Sequence, residues 1–250
     1  MTDKIQTAYK ASKNIYDDVL TQGNLFSRLY IRLFWSGTDD RKIARRVLSY
    51  IPGDFSGTLL DVPVGTAVFT ERKWARLKNA RITCLDYSID MLAQAEKRLR
   101  GYSHIQCVQG DVGKLQMAGE AFDLVVSMNG FHAFPDKEAA YRETCRVLKP
   151  GGALLSGFNL EILYAFDESE TTLINTLPFN PLVNEAHARQ LRENDDGMQF
   201  SHTLEELING QLEAGFMLTN LYDDTSGTGN LHEHNIATFV ATRAVKAGCA

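Results

Sequence analysis

Three aspartates stand one structural unit apart: Asp61, Asp86 and Asp111, each 25 positions after the one before. Each closes or just follows a short apolar run that reads as a strand, and a strand, a helix and two loops fill such an interval. In a doubly wound sheet successive strand ends line one edge, and ligands bind in the crevice outside those ends. Carboxylates there suit a ligand that presents hydroxyls, an amino group or positive charge. A bare phosphate asks instead for N–H donors and cations. One carboxylate can accept both protons of a ribose diol, and Asp86 lies about 20 residues beyond the first loop, where the ribose acid of a dinucleotide site stands. An acid after a strand can also cap the next helix, and for any one of the three that reading stays open.

The loop after the first strand reads Asp61-Val-Pro-Val-Gly-Thr-Ala67. A dinucleotide fingerprint carries three glycines that let a pyrophosphate approach the backbone; here only Gly65 remains, and Asp61 would repel the phosphates. That disfavours a nicotinamide dehydrogenase and favours a phosphate-free cofactor carrying an ammonium group and a sulfonium. Pro63 has a fixed φ and no N–H, so it can only wall the loop. Ala67 is expected to open the following helix, where alanine is a strong former.

Other groups could do chemistry. His132 follows the fourth expected strand, and its ordinary pKa suits a general base; equally it packs locally while Phe131 and Phe134 fill the wall. His232 and His234 could ligate a metal or act as a second base, but with no further ligand cluster a surface hairpin is the simpler reading, and no metal site is expected. Cys84, Cys107, Cys145 and Cys249 form no C-x-x-C pair, and those inside strands read as small buried hydrophobes.

These residues need elements to hold them. Three helical runs open the chain: Ile5 to Leu20, "NLFSRLYIRLFW" and "DDRKIARRVLSYI", the last ended by Pro52-Gly53. Their aromatics Tyr9, Tyr16, Tyr30 and Trp35 read as core, or as a roof over the site. From residue 57 strands alternate with helices: "GTLLDV", helix "TAVFTERKWARL", "RITCLD", a Ser88-capped helix, "HIQCVQGD", "AFDLVVSM", an Asp136-capped helix, then "ALLSGF" after Pro150-Gly151-Gly152. Residues 160–202 read as an irregular insertion. A Thr203–Glu206 capping box opens a last helix, and two strands close the chain as a hairpin. The expected fold is α/β: a doubly wound, seven-stranded, mostly parallel sheet with N-terminal helices and a C-terminal antiparallel hairpin. All of 1–250 reads as a single domain: a helical cap over 1–52, a cofactor core over 57–158, a lid or substrate insertion over 160–202, and the helix and hairpin over 203–250.

Together these motifs make residues 57–158 resemble a class I S-adenosylmethionine-dependent methyltransferase of the small-molecule type, with its Rossmann-like fold. The family's first motif, D-x-G-x-G-x-G, is matched by Asp61 and Gly65, with Pro63 and Ala67 replacing the outer glycines. "CLDYSIDML" resembles the second motif, "GDV" the third, "FDLVVSMNGFHAF" the fourth, and "RVLKPGG" the approach to the fifth strand. The resemblance implies S-adenosyl-L-methionine as cofactor, cradled by Asp61, Val62, Pro63 and Gly65. Asp86 would hold the ribose, with Ser88 beside it and Tyr87 and Met91 flanking the adenine. Asp111 would accept from the adenine amino group and Val112 donate its backbone N–H. Ser127, Met128 and Asn129 would meet the cofactor's amino-acid end.

Bulk properties set limits. A formal net charge of −5 argues against binding a phosphate backbone, so no nucleic-acid partner is expected; the basic stretch "RKIARRV" reads as a solvated helix face. No apolar run is long enough to span a membrane, no export signal stands at the N-terminus, and a cytoplasmic protein is expected. The expected activity is methyl transfer to a small-molecule acceptor, with a quinone ring compatible with the aromatic N-terminal runs. Binding of the cofactor without transfer is the rival reading. A homodimer is compatible with this reading.

Overall fold

The computed structural model describes residues 40–128, 130–131, 136–167, 169–194 and 199–248. The first two expected helical runs, with Tyr9, Tyr16, Tyr30 and Trp35, lie outside these residues, as do Asn129, His132, Phe134 and Cys249. The third run is helix α1 (Asp40–Ser49).

Seven strands form one sheet: β1 (Gly57–Asp61), β2 (Ala80–Asp86), β3 (Ile105–Gln109), β4 (Phe122–Met128), β5 (Leu148–Asn159), β6 (Phe216–Asp224) and β7 (Phe239–Lys246). Their order is β3-β2-β1-β4-β5-β7-β6. The first five run parallel, and β7 inserts antiparallel between β5 and β6, which is the expected hairpin. The chain winds outward from β1 to β3 and then returns to β4 on the other side of β1. That reversal opens a crevice above the ends of β1 and β4, the place where doubly wound sheets bind ligands.

The inner parallel strands are apolar on both faces because helices cover both. Consecutive Leu59 and Leu60 point to opposite sides, and both are fully buried. Leu59, Ile82, Leu124 and Leu155 pack under Ile43 and Val47 of α1, Trp74 of the one-turn α2 (Glu71–Trp74), and Leu92 and Leu99 of α3 (Ile89–Leu99). Leu60, Val125, Leu154 and Phe158 pack on the other face, under Tyr141 and Val147 of α4 (Lys137–Val147). Each such leucine contributes about 1.5–3 kcal/mol through burial. Residues 160–202 hold α5 (Ile162–Ala165) and α6 (Glu185–Glu193), pinned by Phe179, whose ring stacks on His187 at 4.3 Å. Helix α7 (Leu204–Glu213) opens with the Thr203–Glu206 capping box, and α4 and α3 with the expected Asp136 and Ser88 caps.

Three expectations are corrected. The helix expected over 66–77 shrinks to the four residues of α2, because Ala67 does not open it: Ala67 sits at φ 60°, and its carbonyl accepts from the N–H groups of Thr70 and Glu71 in a tight turn. Alanine in that left-handed region costs about 1–2 kcal/mol. The fifth strand starts at Leu148 rather than after Gly152, directly from the end of α4. The basic face of α1 is not simply solvated: Lys42 pairs with Asp224 at 3.0 Å and the Arg46 guanidinium lies 3.5 Å over the Tyr222 ring, tying α1 to β6.

Candidate functional site

The loop from Asp61 to Ala67 is held from both sides by backbone. Val62 donates its N–H to Val126 O on β4, and Val64 donates to Leu85 O on β2, both at 2.9 Å. The Val62 side chain is buried in the core on the α4 face, so only its backbone borders the loop. Thr66 O accepts from Arg98 Nε of α3 at 2.9 Å. So fixed, Gly65 adopts φ 58°, and among the described residues a Cβ there would meet nothing within 4 Å. Its backbone has the shape of a cradle that a ligand can approach closely.

Asp86 ends β2 inside this frame. Oδ2 accepts the Gly65 N–H and Oδ1 the Ser88 N–H, both at 2.8 Å. A carboxylate offers about four acceptor sites, and the Tyr87 N–H also acts on this one, so about one site is left for a further donor. Burial raises this carboxyl above its ordinary range, against the pull of those N–H groups. Asp61 is fully buried, and its Oδ2 accepts the Trp74 indole N–H at 2.8 Å. Burial pushes its pKa up to about 7 despite the Trp74 and Thr70 hydrogen bonds, and the Asp86 charge adds to the rise. The two carboxyls thus sense one another across the crevice floor. Asp111 follows β3 and is exposed; its Oδ1 caps the turn Val112–Lys114 by accepting the Gly113 N–H at 2.8 Å. Capping, one of the two uses open to this acid from the sequence, is the one its geometry shows. A hydrogen bond from Gly110 N to Asp86 O links the ends of β2 and β3.

Along this rim Met91 is buried, Tyr87 half-buried and Ser88 buried as the α3 cap. At the end of β4 Ser127 is buried with its hydroxyl unpaired among the described residues, and Met128 is half-buried. The role of Pro63 becomes legible here. Its ring lies against Gly130, where a Cβ would come within 2.3 Å of Pro63 Cδ and 3.2 Å of Ser127 Oγ. Proline and glycine form a matched pair that closes the loop onto the end of β4.

The structure also brings in residues not read from the sequence. Trp74, the indole donor nearest in sequence to the loop, holds Asp61. Glu170 sits at φ 57° with one carboxylate oxygen on the Leu231 N–H at 2.8 Å and the other buried without a partner among the described residues. His232 and His234 fall on or beside the short helix α8 (Asn230–Glu233) rather than on a strand turn. His232 meets the Thr225 hydroxyl at 2.6 Å and His234 the Asn230 carbonyl at 2.9 Å, so the two rings go to different partners. His132 and Asn129 lie outside the described residues.

Residues 59–152 match the family model of a methyltransferase domain. The chain is 31% identical over 176 residues to the uncharacterized methyltransferase YbaJ of Bacillus subtilis (strain 168), covering 67% of this chain and 68% of that one. It is 30% identical over 191 residues to the ubiquinone/menaquinone biosynthesis C-methyltransferase UbiE of Klebsiella pneumoniae, covering 70% and 72%. Among solved structures the cyclase SpnF superposes with a TM-score of 0.69 over 100% of this chain and 97% of its own, at 18% identity, a likeness of fold.

Proposed function

The chain belongs to the class I S-adenosylmethionine-dependent methyltransferases, and from that premise we propose which of its residues hold the cofactor and what it methylates. The cradle over Gly65, open among the described residues, with Asp86 fixed beside it and an acceptor site to spare, is the observation that carries the assignment. Asp86 takes the ribose hydroxyls. Tyr87 and Met91 flank the adenine, and Asp111 with the Val112 N–H reads its edge. Asp61 and the Ser127 hydroxyl, with Met128 and Asn129, face the amino-acid end, while Pro63 and Val62 shape the wall and Ser88 fixes the start of α3. When bound, S-adenosylmethionine supplies a methyl group already activated toward displacement by its sulfonium.

The chain then has to align an acceptor with that methyl group and exclude water, and positioning alone supplies much of the acceleration. Where the acceptor must lose a proton, His132 is the proposed base. The acceptor pocket is assigned to residues 1–52 and 160–202. Leu173, Ile174, Leu177, Leu182 and Val183 are exposed in the latter segment, and such a grouping favours an apolar ligand. An apolar ring compound of the quinone kind agrees with this and with the activity named for the Klebsiella relative.

Calorimetry tests the cofactor assignment. Asp86→Ala removes hydrogen bonds to a charged acceptor, about 1.5–3 kcal/mol, so S-adenosylmethionine binding falls by roughly 10- to 150-fold; unchanged affinity in a folded variant sinks the ribose role. For the acceptor, label from the cofactor's methyl group is followed through a small-molecule extract. Transfer into an organic-soluble product supports the reading, and transfer only to polar or macromolecular material refutes it.

A further inference from the structure

We propose that Cys84 and Cys107 are a reversible oxidation site, a dithiol beneath the cofactor crevice that closes to a disulfide across β2 and β3 when a peroxide reaches it. The two cysteines are register partners on adjacent parallel strands, and on the same rung Cys84 is the partner of Asp61. Neighbouring strands lie about 4.8 Å apart, inside the Cα separation of about 4.4–6.8 Å that a disulfide spans. Both side chains belong to the cluster on the α1 face, so they meet on one side of the sheet. Their surroundings differ. Cys84 is fully buried, whereas Cys107 is half-buried on β3, the edge strand, where a small oxidant can reach it.

Exposure divides the roles: Cys107 lies at the accessible edge strand and Cys84 does not. The Cys84 thiol beside it draws the Cys107 pKa down. Burial and the Asp61 charge keep Cys84 protonated. The thiolate is the nucleophile, so Cys107 attacks first. Its sulfur takes one peroxide oxygen, the O–O bond breaks, and the leaving hydroxide takes up a proton as water. The Cys84 sulfur then displaces hydroxide from the Cys107 sulfenic acid, and the Cys84 proton leaves with it as a second water. Two thiols lose two electrons and the peroxide gains them. To bond, the two Cβ atoms must close by about 1 Å from the strand spacing of about 4.8 Å toward the roughly 3.8 Å of a disulfide, on the rung that carries Asp61. The closed form therefore holds S-adenosylmethionine several-fold more weakly, a consequence that rests on the cofactor assignment above.

The test treats the reduced full chain with hydrogen peroxide, blocks remaining thiols with iodoacetamide and maps the peptides. The expected product joins the Cys84 and Cys107 peptides, is lighter by two hydrogens, and reopens in dithiothreitol. In Cys84→Ser the Cys107 sulfenic acid persists and is trapped by dimedone. In Cys107→Ser, an edge-strand change that spares the core, Cys84 stays alkylatable only on unfolding. Both thiols still free after peroxide, sulfinic acid on Cys107 of the unaltered chain, or pairing with Cys145 or Cys249 overturns the proposal. Calorimetry then compares the redox forms: equal affinity overturns the coupling, whereas no binding by the reduced form counts against the cofactor assignment and leaves the peptide map standing.

Discussion

Asp61 carries a cost that a single substitution exposes. Its carboxyl is fully buried, and its pKa is pushed from 3.8 to about 7. In the unfolded chain the same group ionises near the ordinary value. Between the two values the folded chain keeps a proton that the unfolded chain has released, so stability falls as pH rises, by about 1.4 kcal/mol per unit. The favourable contribution is whole below the ordinary value and is gone once pH passes about 7. From about pH 5 to about pH 8 this amounts to roughly 3 kcal/mol. Asp61→Asn keeps an oxygen for the Trp74 indole N–H and removes the titration. Urea unfolding of the cofactor-free protein at those two pH values is the assay. The stability of the variant relative to the parent is greater near pH 8 than near pH 5 by about 3 kcal/mol. A stability difference that does not change with pH refutes the reasoning, because it would mean that Asp61 ionises in the fold as readily as in water. A parent whose affinity for S-adenosylmethionine exceeds the variant's would show why the chain retains the charge.

Two glycines give further tests. Gly130→Ala drives a Cβ into the Pro63 ring and destabilises by about 1–3 kcal/mol through overpacking; Pro63→Ala in the same chain restores part of the loss, and a double-mutant cycle by urea unfolding with no coupling refutes the pairing. Gly210→Ala on α7 sets a Cβ 2.8 Å from the Tyr141 ring, so the usual helix gain of about 1 kcal/mol over glycine is offset. A melting temperature that rises by the full helix increment would show that α7 does not press on α4 as described.

The sequence by itself determined the alternation of strands and helices, the caps at Ser88, Asp136 and Thr203, and the choice of cofactor class. Each of these depends on local chemistry. A run buried on both faces must be apolar throughout, a cap needs its oxygen beside the first turn, and a loop with a single glycine after an acid lacks the backbone approach a pyrophosphate needs. The spacing of Asp61, Asp86 and Asp111 carried the strand ends to one edge because the repeat of the fold is itself local in length.

Only the tertiary structure decided what depends on residues distant in the chain. Ala67 has a helix former's side chain and a turn's backbone, because the anchoring of Val62 to β4 and Val64 to β2 leaves no room for a helix to start there. Pro63 looked like a defect in a glycine motif until Gly130, 67 residues on, supplied the surface it fits. The Asp61 carboxyl took its altered acidity from the burial of a side chain under Trp74, and the Cys84–Cys107 pair from strand register. Burial, register and close approach are properties of the packed molecule, and no stretch of chain holds them before it folds.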